Sequence, residues 1–167
     1  PDENTLSDCS LRAALIGKDN VKEYSFLDRG SDERQYCAPG IELPVCTFCR
    51  SKFAEFPEYH TNADNFDLVT QKGLEDSLDT LTSIIDAFED AFYPKSVYSC
   101  EPQLGKRNLY PNISIKKRRI QLKNRMNLIA YSNGKRNIFE ISNLININLK
   151  DVLQEFYVLR KVGVLVS

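Results

Sequence analysis

The chain contains no tryptophan, one methionine and a single histidine in 167 residues. No apolar run approaches the roughly 18 residues of a membrane span, and residues 1–4 lack the basic and then apolar order of a signal peptide. The five cysteines are an odd number without a secretion signal, which fits reduced thiols better than a disulfide framework. We therefore expect a cytoplasmic protein that does not enter a membrane. Because residue 1 is not methionine, we also expect the chain to begin partway through a longer protein.

The single histidine, His60, stands in a sequence that is typical of a metal ligand. It lies between Tyr59 and Thr61, and acidic residues occur on both sides of this stretch. A zinc site needs three or four protein ligands, and the chain has no second imidazole. Either His60 is structural or the rest of its site lies outside this chain, and we favour the second interpretation.

The charge of the chain is divided between two segments. Residues 116–167 hold 11 lysines and arginines against three acids, a net charge of +8, whereas the other 115 residues hold 11 against 20, a net charge of −9. A hydrophobic content of 42% and an aromatic content of 10% are typical of globular domains. Two segments of opposite sign indicate two domains, which either attract one another or bind different partners.

Apolar spacing predicts helices and strands in the acidic segment. One helix runs from Thr5, its cap, to about Ile16, and a long amphipathic helix covers residues 73–92. Residues 24–27 read as a short strand and residues 43–49 as a buried strand. This order predicts an α/β domain, and it fits the closing portion of a larger one.

The basic segment has a different pattern. Residues 100–115 are rich in turn formers and read as a linker or docking arm between a first unit at 1–99 and a second at 116–167. Three helices are predicted within 120–131, 138–145 and 149–161, followed by an apolar tail. Short helices with a tight turn before the last one, and then a strand, predict a helix-turn-helix or winged-helix domain.

Four sequence motifs together resemble a known family. They are DRGSDERQ at 28–35, PGIELPV at 39–45, EYHT at 58–61 with Asp64 and Asp67 behind it, and EPQLGKRNLYP at 101–111. In this order they resemble the closing third of a zinc aminopeptidase domain of the bacterial leucyl aminopeptidase and glutamate carboxypeptidase type. More specifically, the chain is similar to bacterial aminopeptidase-like proteins found among polysaccharide-biosynthesis genes, which carry the same arm and a C-terminal winged helix.

The resemblance implies a zinc site built from two histidines, carboxylates and a bridging water, with a separate glutamate as general base. Of these groups only His60 carries over, as a zinc ligand, because the others precede residue 1 in the family order. Tyr59 matches the position whose phenol donates to the tetrahedral oxyanion, so it is the catalytic candidate. Asp32, Glu33 and Arg34 are candidates for the wall of the substrate cleft, with a loop held by Asp–Arg pairing as the alternative.

The function that the resemblance implies is zinc-dependent cleavage of a peptide or amide bond in a small substrate, in a surface-polysaccharide pathway. The remaining part of the same protein would then be the partner of this chain. One alternative is a non-catalytic member whose zinc fold serves binding or scaffolding. Another alternative is a winged helix that binds nucleic acid. The start of the third C-terminal helix lacks a clear set of asparagine, glutamine and arginine side chains that would read base edges, so we do not expect nucleic acid as a partner. The sequence determines neither the substrate nor the oligomeric state, and a homo-oligomer is one of the possible states.

Three further motifs have simpler interpretations. Cys46 and Cys49 lack a second cysteine pair and would face opposite sides of a strand, which favours buried thiols over a zinc ribbon. Asp64 and Asp67 are favoured as turn residues. The basic run at 116–119 either contacts phosphates or forms a solvated start of a helix that faces the acidic domain.

Overall fold

Helices make up most of the secondary structure in the computed structural model, which describes residues 3–110 and 116–167, with side chains from residue 120 onward in the second range. None of the helices in these ranges has both the length and the apolar character that crossing a bilayer requires. The elements, in chain order, are α1 (Leu6–Leu15), α2 (Glu33–Tyr36), α3 (Gln71–Asp90), β1 (Lys95–Ser96), α4 (Lys116–Tyr131), α5 (Ile138–Ile145), α6 (Leu149–Lys161) and β2 (Leu165–Val166), with short 3-10 turns at Phe26–Asp28 and Leu104–Arg107.

The two helices predicted in the acidic segment are confirmed, and both begin at a threonine cap. The side chain of Thr5 accepts from the backbone of Asp8, whose carboxylate accepts in return from the Thr5 backbone, a reciprocal capping box. Gly17, at φ +74°, follows the end of α1 in the left-handed conformation that glycine adopts without strain. The side chain of Thr70 accepts from the backbone of Gly73 and starts α3, the 20-residue helix.

The two strands predicted in the acidic segment are wrong. Residues 26–28 form a 3-10 turn, and residues 43–49 are irregular, with the side chains of Leu43 and Val45 exposed. The amide of Leu43 donates to the carbonyl of Tyr36 at 2.9 Å, and the amide of Val45 donates to the carbonyl of Leu43. A strand needs a neighbouring strand for its ladder of hydrogen bonds, and residues 3–110 and 116–167 offer none to either segment. The described structure is therefore mostly helical, and its only strands are β1 and β2.

All three helices predicted in the basic segment are confirmed as α4, α5 and α6. Asn137 and Glu140 form a capping box at the start of α5, and Asn146, at φ +54°, ends it before the turn into α6. The apolar tail forms β2, which pairs antiparallel with β1, and Lys95 of β1 also bridges to Asn133. This arrangement of a helix-turn-helix backed by a small sheet is a winged helix.

The acidic and basic segments share one hydrophobic core. The side-chain amide of Asn148 donates to the carbonyls of Ala14 and Ile16, both at 2.9 Å, and its oxygen accepts from the backbone of Lys150. One side chain thus satisfies the end of α1 and the start of α6. Small residues on α1 and α3 let the helices approach the winged helix closely. The largest buried side chains of the whole core belong to the winged helix and the arm: Phe139, Phe156, Leu104, Leu128, Ile138, Ile141, Leu149, Leu159 and Leu165.

The arm before α4 lies against the winged helix. Leu104 and Leu109 are buried, and the guanidinium of Arg125 donates to the carbonyl of Leu109 at 2.7 Å. The same guanidinium forms an ion pair with Glu155 of α6 at 2.8 Å, and both side chains are largely buried. Arg125 therefore joins the arm, α4 and α6. Residue 111, the last of the motif that resembles the family arm, lies outside the described residues.

Candidate active site

Tyr59 and His60 lie together in a turn of the loop that precedes α3. The backbone of Tyr59 donates to Phe56, and that of Thr61 donates to Glu58 at 3.0 Å, which closes two successive turns. The phenol and imidazole rings stack with centroids 4.0 Å apart and an interplanar angle of 17°. Phe56 meets the Tyr59 ring edge-on at 5.6 Å. The local fold therefore holds the phenol and the imidazole side by side.

The backbone of His60 has an uncommon conformation. Its φ is +59°, in the left-handed region that few residues other than glycine adopt. Six other non-glycine residues of the described chain have a positive φ as well, so this conformation fits a tight turn and is not specific to His60: Glu3, Asn20, Glu42, Ala54, Asn108 and Asn146. The imidazole is exposed and Tyr59 is half-buried. The turn thus presents the imidazole to the outside of the described structure.

The described residues do not form a metal site on their own. Within residues 3–110 and 116–167 there is no cluster of three or more histidine, cysteine or acidic side chains that could hold a metal ion. Zinc in proteins takes three or four such ligands. His60 would supply one, so the other ligands of a zinc site would have to come from elsewhere.

The three residues predicted to line a substrate cleft have different environments. Asp32 and Arg34 are exposed, whereas Glu33 is buried. The Glu33 carboxylate accepts from the backbones of Gly30 at 2.9 Å and Ser31 at 3.1 Å. Burial disfavours its charged form, but these bonds and one from the Thr47 hydroxyl outweigh burial and lower its pKa. Glu33 holds the 28–35 loop to the segment at 43–49.

A cleft of about 760 Å³ lies between α1 and the loops that follow it. Glu33 contributes to its wall, but Asp32, Arg34, Tyr59 and His60 do not. The phenol of Tyr24 donates to Glu55 at 2.6 Å, and Glu55 also pairs with Lys52. The described structure thus brings Tyr59 and His60 together but does not bring the cleft candidates to them.

The cysteine pair shows no sign of a reactive site. All five cysteines lie within the described residues and all are free. Cys46 is half-buried, and this burial raises the pKa of its thiol to about 11. Cys49 is exposed, so the expectation of two buried thiols is wrong: one is half-buried and the other exposed, because residues 43–49 do not form a buried strand.

The acidic and basic segments also meet through charged side chains. Lys150 on α6 pairs with Asp79 on α3 at 2.6 Å, and Arg160 lies 3.6 Å from Asp90. The phenol of Tyr157 donates to Asp90 at 3.1 Å. Both ion pairs are about half exposed, so they orient the two helices more than they stabilise them. From the sequence, residues 116–119 were the basic residues singled out as facing either phosphates or the acidic domain, and their side chains lie outside the described ones. The acids spaced along α3 were not singled out.

Two family models match the chain, one over each segment. Residues 92–167 match the model of a winged helix-turn-helix family. The chain is therefore of the class in which a winged helix follows an acidic N-terminal segment. Residues 2–91, more than half of the chain, match the family described as a domain of unknown function, DUF4910. The chain belongs to that family.

A curated relative and a solved structure, both from Clostridium acetobutylicum, are similar to the chain. The first, provisionally named a polysaccharide biosynthesis protein with aminopeptidase-like domain, is 45% identical over 86 residues, which are 51% of this chain and 20% of the relative. The second is a solved structure provisionally assigned as a peptidase, with a TM-score of 0.65 and 27% identity over 98% of this chain and 36% of that chain. The chain thus corresponds to about a third of the solved structure. The resemblance to aminopeptidase-like polysaccharide biosynthesis proteins and the winged helix are confirmed.

Proposed function

We propose that residues 1–99 are the closing part of a zinc aminopeptidase-like α/β domain, and that the whole protein hydrolyses a peptide or amide bond in a surface-polysaccharide pathway. One observation carries the proposal: nearly the whole chain superposes on a solved structure assigned as a peptidase. The sequence similarity to a relative with an aminopeptidase-like domain supports it. The strands missing at 24–27 and 43–49 are consistent with a sheet whose other strands belong to the rest of the domain.

In this proposal His60 is a zinc ligand and the remaining ligands lie outside this chain. Its exposed imidazole supports the role, because a ligand that meets other parts of a protein has to protrude from its own segment. Tyr59 is the chain's catalytic residue. Its phenol stands beside the imidazole, where it would donate to the oxyanion that forms when the substrate carbonyl is attacked.

The test is a hydrolysis assay on the full-length protein with a set of aminoacyl amide substrates. We expect release of the N-terminal residue by the wild type and its loss in His60→Ala. Asp64→Asn, a change of an exposed acid in the same loop, is the matched control and should leave the rate within a few-fold. A folded wild-type protein without hydrolysis of any substrate would favour the non-catalytic alternative, a binding or scaffolding protein.

Nucleic-acid binding is the second candidate function, and the contact between α3 and α6 argues against it. In a helix-turn-helix the second helix of the motif enters the major groove, and here that helix, α6, places Lys150, Tyr157 and Arg160 on acids of α3. A tethered acidic partner has an effective concentration that reaches the millimolar range. Duplex DNA would have to displace it.

We therefore expect no sequence-dependent shift of duplex DNA by the full-length protein at submicromolar concentration and about 150 mM salt, where nonspecific contacts are weakened. An electrophoretic mobility assay measures this. The variant Asp79→Lys/Asp90→Lys, which repels α6, is the informative comparison: weak, salt-sensitive binding by this variant alone fits the proposal. A sequence-dependent shift by the wild type would instead support a nucleic-acid regulator.

A further inference from the structure

Helix α3 has two faces of opposite character. The face toward α1 and the winged helix carries small buried side chains: Thr80, Ser83 and Ala87. The other face carries large apolar side chains that are between 45 and 66% exposed, a set we call the outward row: Leu74, Leu78, Leu81 and Ile85. Ile84 also packs against the shared core, and the ring of Phe88 lies 4.8 Å from that of Phe139, so α3 meets the winged helix on one side and leaves the outward row on the other.

The outward row is a continuous stripe. Its members follow one another at alternating spacings of four and three residues, which places them on one side of the helix. They span 12 residues, or about 17 Å along the helix axis. Soluble proteins rarely leave a contiguous apolar surface of this kind uncovered unless it contacts another surface. The stripe therefore has the character of a packing face.

We infer that the outward row is the seam along which the rest of the aminopeptidase-like domain packs, as part of the same polypeptide. This inference rests on the proposed function. The solved structure that superposes on 98% of this chain matches it over only 36% of its own length. The equivalent of its remaining residues could cover the outward row. Leu27, Leu43 and Val45, in the segments predicted as strands, are also exposed and would be covered by an apolar neighbour. A sheet with an apolar face meets both needs.

A second copy of this chain fits the row less well. Helix α3 carries six acidic residues and one basic residue, Lys72. Glu75, Asp79, Asp86 and Glu89 are exposed on α3. Pairing two α3 helices along the row would bring these like charges together, which is destabilising. A sheet of the same polypeptide brings no such repulsion.

Cysteine labelling tests the seam without removing much apolar surface. Leu78→Cys and the control Leu144→Cys, at an exposed position of α5 outside the outward row, are made in the full-length protein and in the 167-residue chain. Mass spectrometry of peptides measures how fast a maleimide modifies each introduced cysteine. It distinguishes that modification from modification of the native cysteines. We expect modification at position 78 to be at least about 10-fold slower in the full-length protein and modification at position 144 to be unchanged.

Equal rates at position 78 in the two proteins would overturn the inference, as would equal slowing at both positions. Protection of position 78 in the 167-residue chain that grows with its concentration would also overturn it, by showing that a second copy covers the row. The readout needs neither zinc nor substrate. A full-length protein that protects position 78 but hydrolyses nothing would therefore refute the proposed activity and leave the seam standing.

Discussion

Replacing Tyr59 by phenylalanine in the full-length protein is expected to lower kcat by about 10²–10³-fold while KM changes far less. The phenol would donate a hydrogen bond that forms fully only when the substrate carbonyl becomes an oxyanion. Its loss should therefore affect the transition state and not substrate binding. Because the phenylalanine ring retains the stacking against His60, the variant isolates the hydroxyl group.

Steady-state kinetics of the wild type and the variant measure this effect. Tyr24→Phe is the matched control, since it removes a phenol that donates to Glu55 in another loop. Its kcat should stay within a few-fold of the wild type. A change confined to KM in Tyr59→Phe would show that Tyr59 only shapes the substrate pocket, contrary to the proposed role.

Replacing Arg125 by methionine is expected to lower the free energy of unfolding by up to about 3–5 kcal/mol, because the largely buried Glu155 carboxylate loses its cation and keeps only the hydrogen bond from the Gln121 side chain. It also removes the donor to the carbonyl of Leu109 that holds the arm. Urea unfolding of the 167-residue chain, followed by circular dichroism, measures the change.

The matched control is Arg160→Met, which breaks a half-exposed ion pair and should cost no more than about 1 kcal/mol. Adding Glu155→Leu to Arg125→Met should recover part of the stability, since no unpaired charge then remains buried. If Arg125→Met costs as little as Arg160→Met, the pair does not hold the arm, α4 and α6 together.

The helices could be predicted from the sequence because their signals are local. Thr5 and Thr70 cap α1 and α3, and the patterns in 138–145 and 149–161 are bounded by asparagines that cap α5 and α6. The strand predictions failed because β structure depends on a neighbour: the apolar character of residues 43–49 is real, but nothing in the described chain pairs with them. The same dependence explains why the amphipathic pattern of α3 did not reveal which face meets the winged helix.

The candidate site could be predicted only in part for a similar reason. Tyr59 and His60 are adjacent in sequence, so a local motif sufficed to pair them. The roles of Asp32, Glu33 and Arg34 depend on distant contacts: the Thr47 hydroxyl shows that Glu33 is tied to another segment, which no spacing in the sequence indicated. The contact of Lys150 with Asp79 joins positions 71 residues apart, and charge counting predicted an attraction without predicting its residues.

The zinc content of the full-length protein tests the central proposal most directly. Inductively coupled plasma mass spectrometry on wild type, His60→Ala and the control Asp64→Asn, each dialysed against metal-free buffer, gives the metal-to-protein ratio. The proposal predicts retained zinc in the wild type and in Asp64→Asn, and a marked loss in His60→Ala, with little zinc held by the 167-residue chain alone. Equal zinc in the wild type and His60→Ala would contradict the assignment of His60 as a ligand, and a wild type without zinc would contradict the zinc aminopeptidase-like function itself.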